Sequence, residues 1–134
     1  MRAHTIRFRV RYNEVDRQDV VYHGHYLSWF DMGRTELLRD LGMPYKEMED
    51  QGRLLVVTRA SLRYLAPAHL DDLLRLETRL VKVSPARLSF AYELFREEEE
   101  KLLTRGSTEL ACLDREGRIR RLPSPILDLL RLPG

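Results

Sequence analysis

Between positions 14 and 25 the chain gathers Glu14, Asp16, Asp19, His23 and His25 around the apolar run Val20-Val21-Tyr22. Three carboxylates and two imidazoles this close offer two kinds of chemistry. They could ligate a metal ion, or a carboxylate could act as nucleophile or general base with a histidine to orient it. The spacing speaks against a metal, because His23 and His25 form only a His-x-His pair and no glutamate follows on a helical i, i+4 register. An acid in a loop before a helix is, on its own, more often a solvated turn or a partner of the helix dipole. Spacing alone therefore does not choose among the three acids.

The elements that must hold these residues follow from periodicity. Residues 5–13 alternate, with Ile6, Phe8 and Val10 opposing Arg7, Arg9 and Arg11, which is the period of a half-buried strand. From His25 to Leu41, Tyr26, Phe30, Gly33, Leu37 and Leu41 recur every three or four residues, while Leu27, Trp29, Met32 and Leu38 widen the stripe into a helix buried on most sides. Gly33 costs about 1 kcal/mol against alanine inside a helix, so another backbone is expected to pass close to it. Gly42 and Pro44 stop the helix, and Pro44 opens a short second one through Glu49. Strands are expected at 54–65, with Val56, Thr58, Ala60, Leu62 and Tyr64 on one face, and at 73–83, 87–96, 102–113 and 118–121. Glu97 to Glu100 reads as a solvated hairpin tip. Ser124 and Pro125 supply an N-cap and a first-turn proline for a small terminal helix.

One long apolar helix followed by antiparallel strands gives an α+β domain over residues 1–134, with the sheet curling around the helix. An edge strand is left over, and pairing edge to edge with a second copy would protect it. The 23 basic and 21 acidic side chains leave a net charge of only +2, too little for a general nucleic-acid binder. Only Lys46, Lys82 and Lys101 of the basic residues are lysine; the rest are arginine, suited to bidentate phosphate or carboxylate contacts. No run approaches the roughly 18 apolar residues of a membrane span. The N-terminus lacks the apolar core of a secretion signal, and the lone Cys112 reads as a buried inert thiol, so a cytoplasmic setting is expected.

Residues 12–30, Y-N-E-V-D-R-Q-D-V-V-Y-H-G-H-Y-L-S-W-F, resemble the signature of the 4-hydroxybenzoyl-CoA thioesterase family of the hotdog fold. They look closest to the Tol-Pal-associated acyl-CoA thioesterase branch, whose usual form is Y-x-D-T-D-x-x-G-V-V-Y-H-x-N-Y-x-x-F. Arg34-Thr35-Glu36, Tyr64-Leu65-Ala66-Pro67-Ala68 with Asp71-Asp72, and Arg87-Leu88-Ser89-Phe90 extend the likeness over nearly the whole chain. The resemblance implies that Asp16 is the catalytic aspartate and that His23 orients Asp16 or the water. It further implies that Tyr22 lines the acyl tunnel and that Gly24 lets the thioester approach the backbone. Arg87, Arg118 and Arg120, with Arg121 in reserve, stand where the family contacts the phosphates of coenzyme A.

That chemistry is physically reasonable. A partly desolvated carboxylate can attack a thioester carbon or activate water, provided donors await the oxyanion. The first N–H groups of the helix starting near Gly24 are the expected donors. The chain departs from the family pattern where Glu14 replaces the first aspartate, Asp19 the glycine and His25 the asparagine. If that glycine supports a positive φ, Asp19 must adopt it at some cost.

The expected protein is thus an acyl-CoA thioesterase needing no cofactor, coenzyme A being part of its substrate, and working as a homodimer or a dimer of dimers. A non-catalytic module binding acyl-CoA or acyl carrier protein is the alternative from another class. A hotdog dehydratase is less favoured, because the histidine lies so near the loop aspartate.

Overall fold

A computed structural model describes residues 2–16 and 18–132. Five antiparallel strands, β1 (Arg2–Arg9), β2 (Leu54–Tyr64), β3 (Leu73–Val83), β4 (Arg87–Arg96) and β5 (Lys101–Leu113), form one sheet in the order β1-β3-β4-β5-β2. Helix α1 (His25–Asp40) lies on its concave face; α2 (Tyr45–Asp50) and α3 (Ser124–Arg131) are peripheral. This is the α+β layer arrangement expected from the sequence.

The clean alternations place their apolar residues as expected. Leu74, Leu76, Thr78 and Leu80 of β3, and Leu88, Phe90, Tyr92 and Leu94 of β4, are all buried. They meet Trp29, Phe30 and Leu37 of α1, with the Phe30 and Tyr92 rings stacked at 4.3 Å. Gly33 does sit at a close approach, but the neighbours are side chains rather than a backbone. A Cβ there would collide with Thr78 Oγ1 and with Leu76 Cδ2. Gly106 of β5 similarly makes room for the Phe30 ring.

Four expectations are corrected. The first strand ends at Arg9, and Tyr12–Glu14 forms a single 3-10 turn instead. Its cause is the Glu14 carboxylate, which accepts the Arg11 backbone N–H at 2.7 Å and turns the chain inward. Residues 118–121 form no strand; Ile119 makes one isolated bridge to Leu113. Ser124 is the first residue of α3 rather than its cap, which is Pro123. Finally, a bulge at Thr58 breaks the alternation of β2, so Val57, opposite Leu110, shares the inner face while Val56 turns to the outer one.

The short connections also suggest an antiparallel meander; β3, β4 and β5 form one, but β2 crosses to the far edge beside β5. Its connection to β3, residues 65–72, therefore runs across the end of the sheet, where Leu65 and Ala66 donate to Leu103 O and Arg96 donates to Pro67 O. That crossing is the platform on which the acidic loop rests.

Candidate active site

The loop leaves β1 through buried Val10, which exchanges backbone hydrogen bonds with Asp71 and Asp72. Glu14, 3% exposed, then anchors it to α1 by accepting the Trp29 indole N–H at 2.8 Å. Burial works to raise the Glu14 pKa, but donors from the Arg11 backbone, Trp29 and the Arg11 side chain prevail and hold it below the ordinary carboxyl value. This residue, which replaces the family's first aspartate, is the keystone of the loop. Its sequence signal was faint, since a glutamate followed by a tryptophan 15 residues on has no recognisable spacing.

Beyond Glu14 the chain doubles back. Val15 bridges Val21, Val20 bridges His69, and Val21 donates to Ala68 O at 3.0 Å. Asp19 sits at φ +60°, as the departure from glycine required. This left-handed residue lets its carbonyl accept the Leu70 N–H while the N–H groups of Gln18 and Val20 turn onto Asp16 Oδ1, at 2.8 and 3.3 Å. Asp16 is thus oriented by its own loop. Oδ2 makes no hydrogen bond among the described residues, and Asp16 lies, exposed, in an open depression of about 340 Å³ with Tyr12, Val15 and Asp19.

His23 and Gly24 follow at the start of α1. The His23 ring lies tilted against Tyr22, centroids 4.4 Å apart, and makes no hydrogen bond to Asp16 among the described residues. Tyr22 is half exposed, and its ring leans over Gly24, where a Cβ would meet Cε2 at 2.8 Å. The helix donors also differ from expectation. The His25 and Tyr26 N–H groups are already bonded to Tyr22 O and His23 O, at 3.0 and 3.3 Å. Among the described residues, the N–H groups of His23 and Gly24, two residues earlier, have no acceptor.

The arginines gather elsewhere. Arg118 and Arg120 both pair with Asp114, at 3.3 and 3.1 Å, and Arg87 pairs with Glu109 at 3.2 Å. Asp114 has a depressed pKa, chiefly because it accepts the Arg118 backbone N–H, helped by the Glu116 N–H and the two guanidinium groups. Arg120 N–H bonds Cys112 O, and Cys112 N–H bonds Ala86 O, which ties all three arginines to the start of β4. The Asp16 loop lies past its end, so the ten residues of β4, at about 3.3 Å each, separate the two sets by about 30 Å. Arg121 makes no ion pair among the described residues. No group of three metal-ligating side chains converges among them either.

A cavity of about 550 Å³ opens between α1, the start of α2 and the β5–β2 side of the sheet. Arg34, Leu38, Tyr45, Leu55 and Leu110 line it. Sequence reading passed over it, because no spacing along the chain brings these five residues together.

The thioesterase-like superfamily model matches residues 10–130. Acyl-CoA thioesterase YbgC of Haemophilus influenzae is 36% identical over 107 residues, which cover 79% of this chain and 77% of that protein. Acyl-CoA thioester hydrolase YbgC of Escherichia coli is 30% identical over 120 residues, covering 89% of each chain. Both agree with the branch the motif pointed to. DHNA-CoA thioesterase from Staphylococcus aureus superposes with a TM-score of 0.86 at 33% identity, covering 91% of this chain and 82% of that one. A 4-hydroxybenzoyl CoA thioesterase at 17% identity, covering 96% of this chain and 99% of that one, shares the fold with a TM-score of 0.86.

Proposed function

The chain belongs to the thioesterase-like superfamily and is an acyl-CoA thioester hydrolase, and on that premise we propose that two copies pair through β2, with Asp16 of one copy working at the cavity of the other. One observation carries this. Helix α1 lies over β1 and β3, which leaves β2 at the sheet edge with residues 56–61 exposed on both faces. A long bare edge strand with exposed Val56 and Val57 is a template for pairing.

Antiparallel pairing about the middle of β2, near Arg59, would set the Leu54 end of one copy beside the Tyr64 end of the other. Tyr64 donates its hydroxyl hydrogen to His23 O, so the start of α1 travels with the second end. Leu55, Tyr45, the cavity and the arginines around Cys112 travel with the first. The two half-sites that stand about 30 Å apart along β4 of one chain then face each other across the two-fold. The second copy also withdraws Asp16 from water, which the exposed loop of a single chain does not.

In this arrangement Arg87, Arg118 and Arg120 exchange their carboxylate partners for the phosphates of coenzyme A, and the acyl group enters the cavity beside Tyr22. The His23 and Gly24 N–H groups receive the carbonyl oxygen as it gains charge. Asp16 Oδ2 either attacks the thioester carbon, giving an anhydride that water then hydrolyses, or takes a proton from water attacking in its place. Both routes break the C–S bond, release the coenzyme A thiol and leave a free acid. Water is the co-reactant and no cofactor is needed. His23 shapes the pocket by its contact with the Tyr22 ring.

Pairs of dimers assembling into a homotetramer, and a cytoplasmic location consistent with the buried free Cys112, complete the reading. No helix among the described residues is long and apolar enough to cross a membrane. The test is free-thiol release from a panel of acyl-CoAs. Turnover by the wild type and its collapse in Asp16→Ala are expected; an inactive wild type, or an active Asp16→Ala, overturns the proposal.

A further inference from the structure

Arg34 is a charged residue that the reaction just described does not use. Its side chain is 9% exposed, on the sheet-facing side of α1. Nη1 donates to the Tyr92 hydroxyl at 3.2 Å, and that hydroxyl shares a 2.6 Å hydrogen bond with Thr108 Oγ1 on the next strand. Both hydroxyls are buried, so the guanidinium is held from beneath by a rigid pair on the sheet. Nη2 pairs with Asp31, whose side chain is 65% exposed and free to swing into water.

Burying a guanidinium is costly, and an aliphatic side chain at this position would pack against Phe30 and the sheet without that cost. What distinguishes the position is that Arg34 forms part of the cavity wall, among Leu38, Met43, Leu55 and Leu110. The charged lining is unbalanced as well. Arg34, Arg39 and Lys46 face one carboxylate, Asp31. Arg39 is occupied by Glu36, whereas Lys46 makes no ion pair among the described residues. One cation, Lys46, is thus left over at the cavity that would receive the acyl group.

We infer that this cavity selects acyl groups ending in a carboxylate, so that the preferred substrates are coenzyme A half-thioesters of dicarboxylic acids and Arg34 is the specificity-determining residue. The inference rests on the two-copy site proposed above. The distal carboxylate takes the place of Asp31 on Nη2, with Lys46 at the rim, while Tyr92 and Thr108 keep Nη1 fixed. A desolvated guanidinium with one anchored and one exchangeable nitrogen favours a planar anion over a methyl or a hydroxyl group. The aliphatic lining accommodates the methylenes between the two ends.

The experiment compares three acyl-CoAs of equal chain length, hexanoyl-, 6-hydroxyhexanoyl- and adipoyl-CoA, by kcat/KM from thiol release. The wild type should prefer adipoyl- over hexanoyl-CoA at least tenfold, with the hydroxy compound close to hexanoyl. Arg34→Met should reverse that preference, Arg34→Lys should keep part of it, and Lys46→Glu should reduce it about threefold. The lysine and glutamate variants preserve the fold if Arg34→Met does not, and thermal melts report which variants are folded. Equal turnover of adipoyl- and hexanoyl-CoA by the wild type overturns the charge selection alone, as does a preference that survives in folded Arg34 and Lys46 variants. A preference for the hydroxy compound assigns Arg34 to neutral acceptors and overturns it too. A wild type that hydrolyses none of the three, nor any other acyl-CoA, overturns the thioesterase reading and this inference together.

Discussion

The two halves of the sheet are built to different ends. Over β1, β3 and β4 the inner face is closed: Leu74, Leu76, Thr78 and Phe90 are 0% exposed, and α1 comes so close that position 33 has no room for a side chain. Over β2 the same face lies open, with Val57 at 44% and Tyr64 at 49% exposure. The closed half has the density of a protein interior and supplies stability. Every candidate for substrate contact either borders this open edge or stands at one of its ends. The contrast teaches where the proposed site draws its surface: from the part of the core that the chain leaves uncovered.

Mutations can break or sharpen that contrast. The largest effect belongs to the proposed reacting group. Asp16→Ala should lower kcat for acyl-CoA hydrolysis roughly a thousandfold, with the thermal midpoint nearly unchanged, because an exposed loop acid contributes little to the core. In the closed half the signs exchange. Gly33→Leu drives a side chain into Thr78 and Leu76, and should cost about 3 kcal/mol in a denaturant titration; a neutral result would show that α1 is less tightly seated than described.

Val57→Glu places a charge on the bare inner face of β2. It should leave the monomer folded but shift the protein to the monomeric state in sedimentation, with activity falling roughly tenfold. Full activity in a demonstrable monomer would break the two-copy site.

Smaller effects lie at the boundary between the halves. Glu14→Gln should cost about 1–3 kcal/mol, because a neutral amide accepts the Arg11 and Trp29 donors less well and brings an NH2 group with no acceptor. It should also alter the acid limb of stability. A carboxyl whose folded pKa is depressed contributes its full stabilisation above the unfolded value near 4.5, and loses it as the pH falls through the lower folded value. Wild-type stability should therefore decline below about pH 5 more steeply than that of Glu14→Gln. The smallest change is Asp19→Gly, which removes a left-handed non-glycine residue and should alter stability by less than about 1 kcal/mol. Asp19→Val, which tolerates that conformation poorly, should disorder the N–H groups on Asp16 and reduce activity.

The parts of this molecule legible in the sequence were those whose partners are close in the chain or repeat with a period. β3, β4, β5 and α1 announce themselves through alternation or a 3.6-residue stripe, and their ends were placed within a residue or two. The strained φ at Asp19 was also legible, because the residue stands in a motif at a place that asks for glycine. Thr58 was not: a bulge adds one residue without altering composition, and both valines beside it are apolar. Nor did the sequence show that the 65–72 segment crosses the sheet end. A short link between strands reads as a hairpin until the strand order is known.

Composition and pattern determined the class of fold, the single buried helix, the acidic loop before it and, through the Val-Val-Tyr-His block, the family. Those are consequences of local periodicity and of residues adjacent along the chain. The tertiary structure alone decided that Glu14 is buried against Trp29, that Asp16 is oriented by backbone N–H groups rather than by His23, and that the loop and the arginines stand at opposite ends of β4. It alone uncovered Arg34 beside a cavity. The donors to Asp16 are only 2 and 4 residues away, but the turn that presents them is held by Ala68, His69 and Leu70, about fifty residues on; the other features join residues 15 or more positions apart, in a geometry set by strand order and by where α1 comes to rest on the sheet.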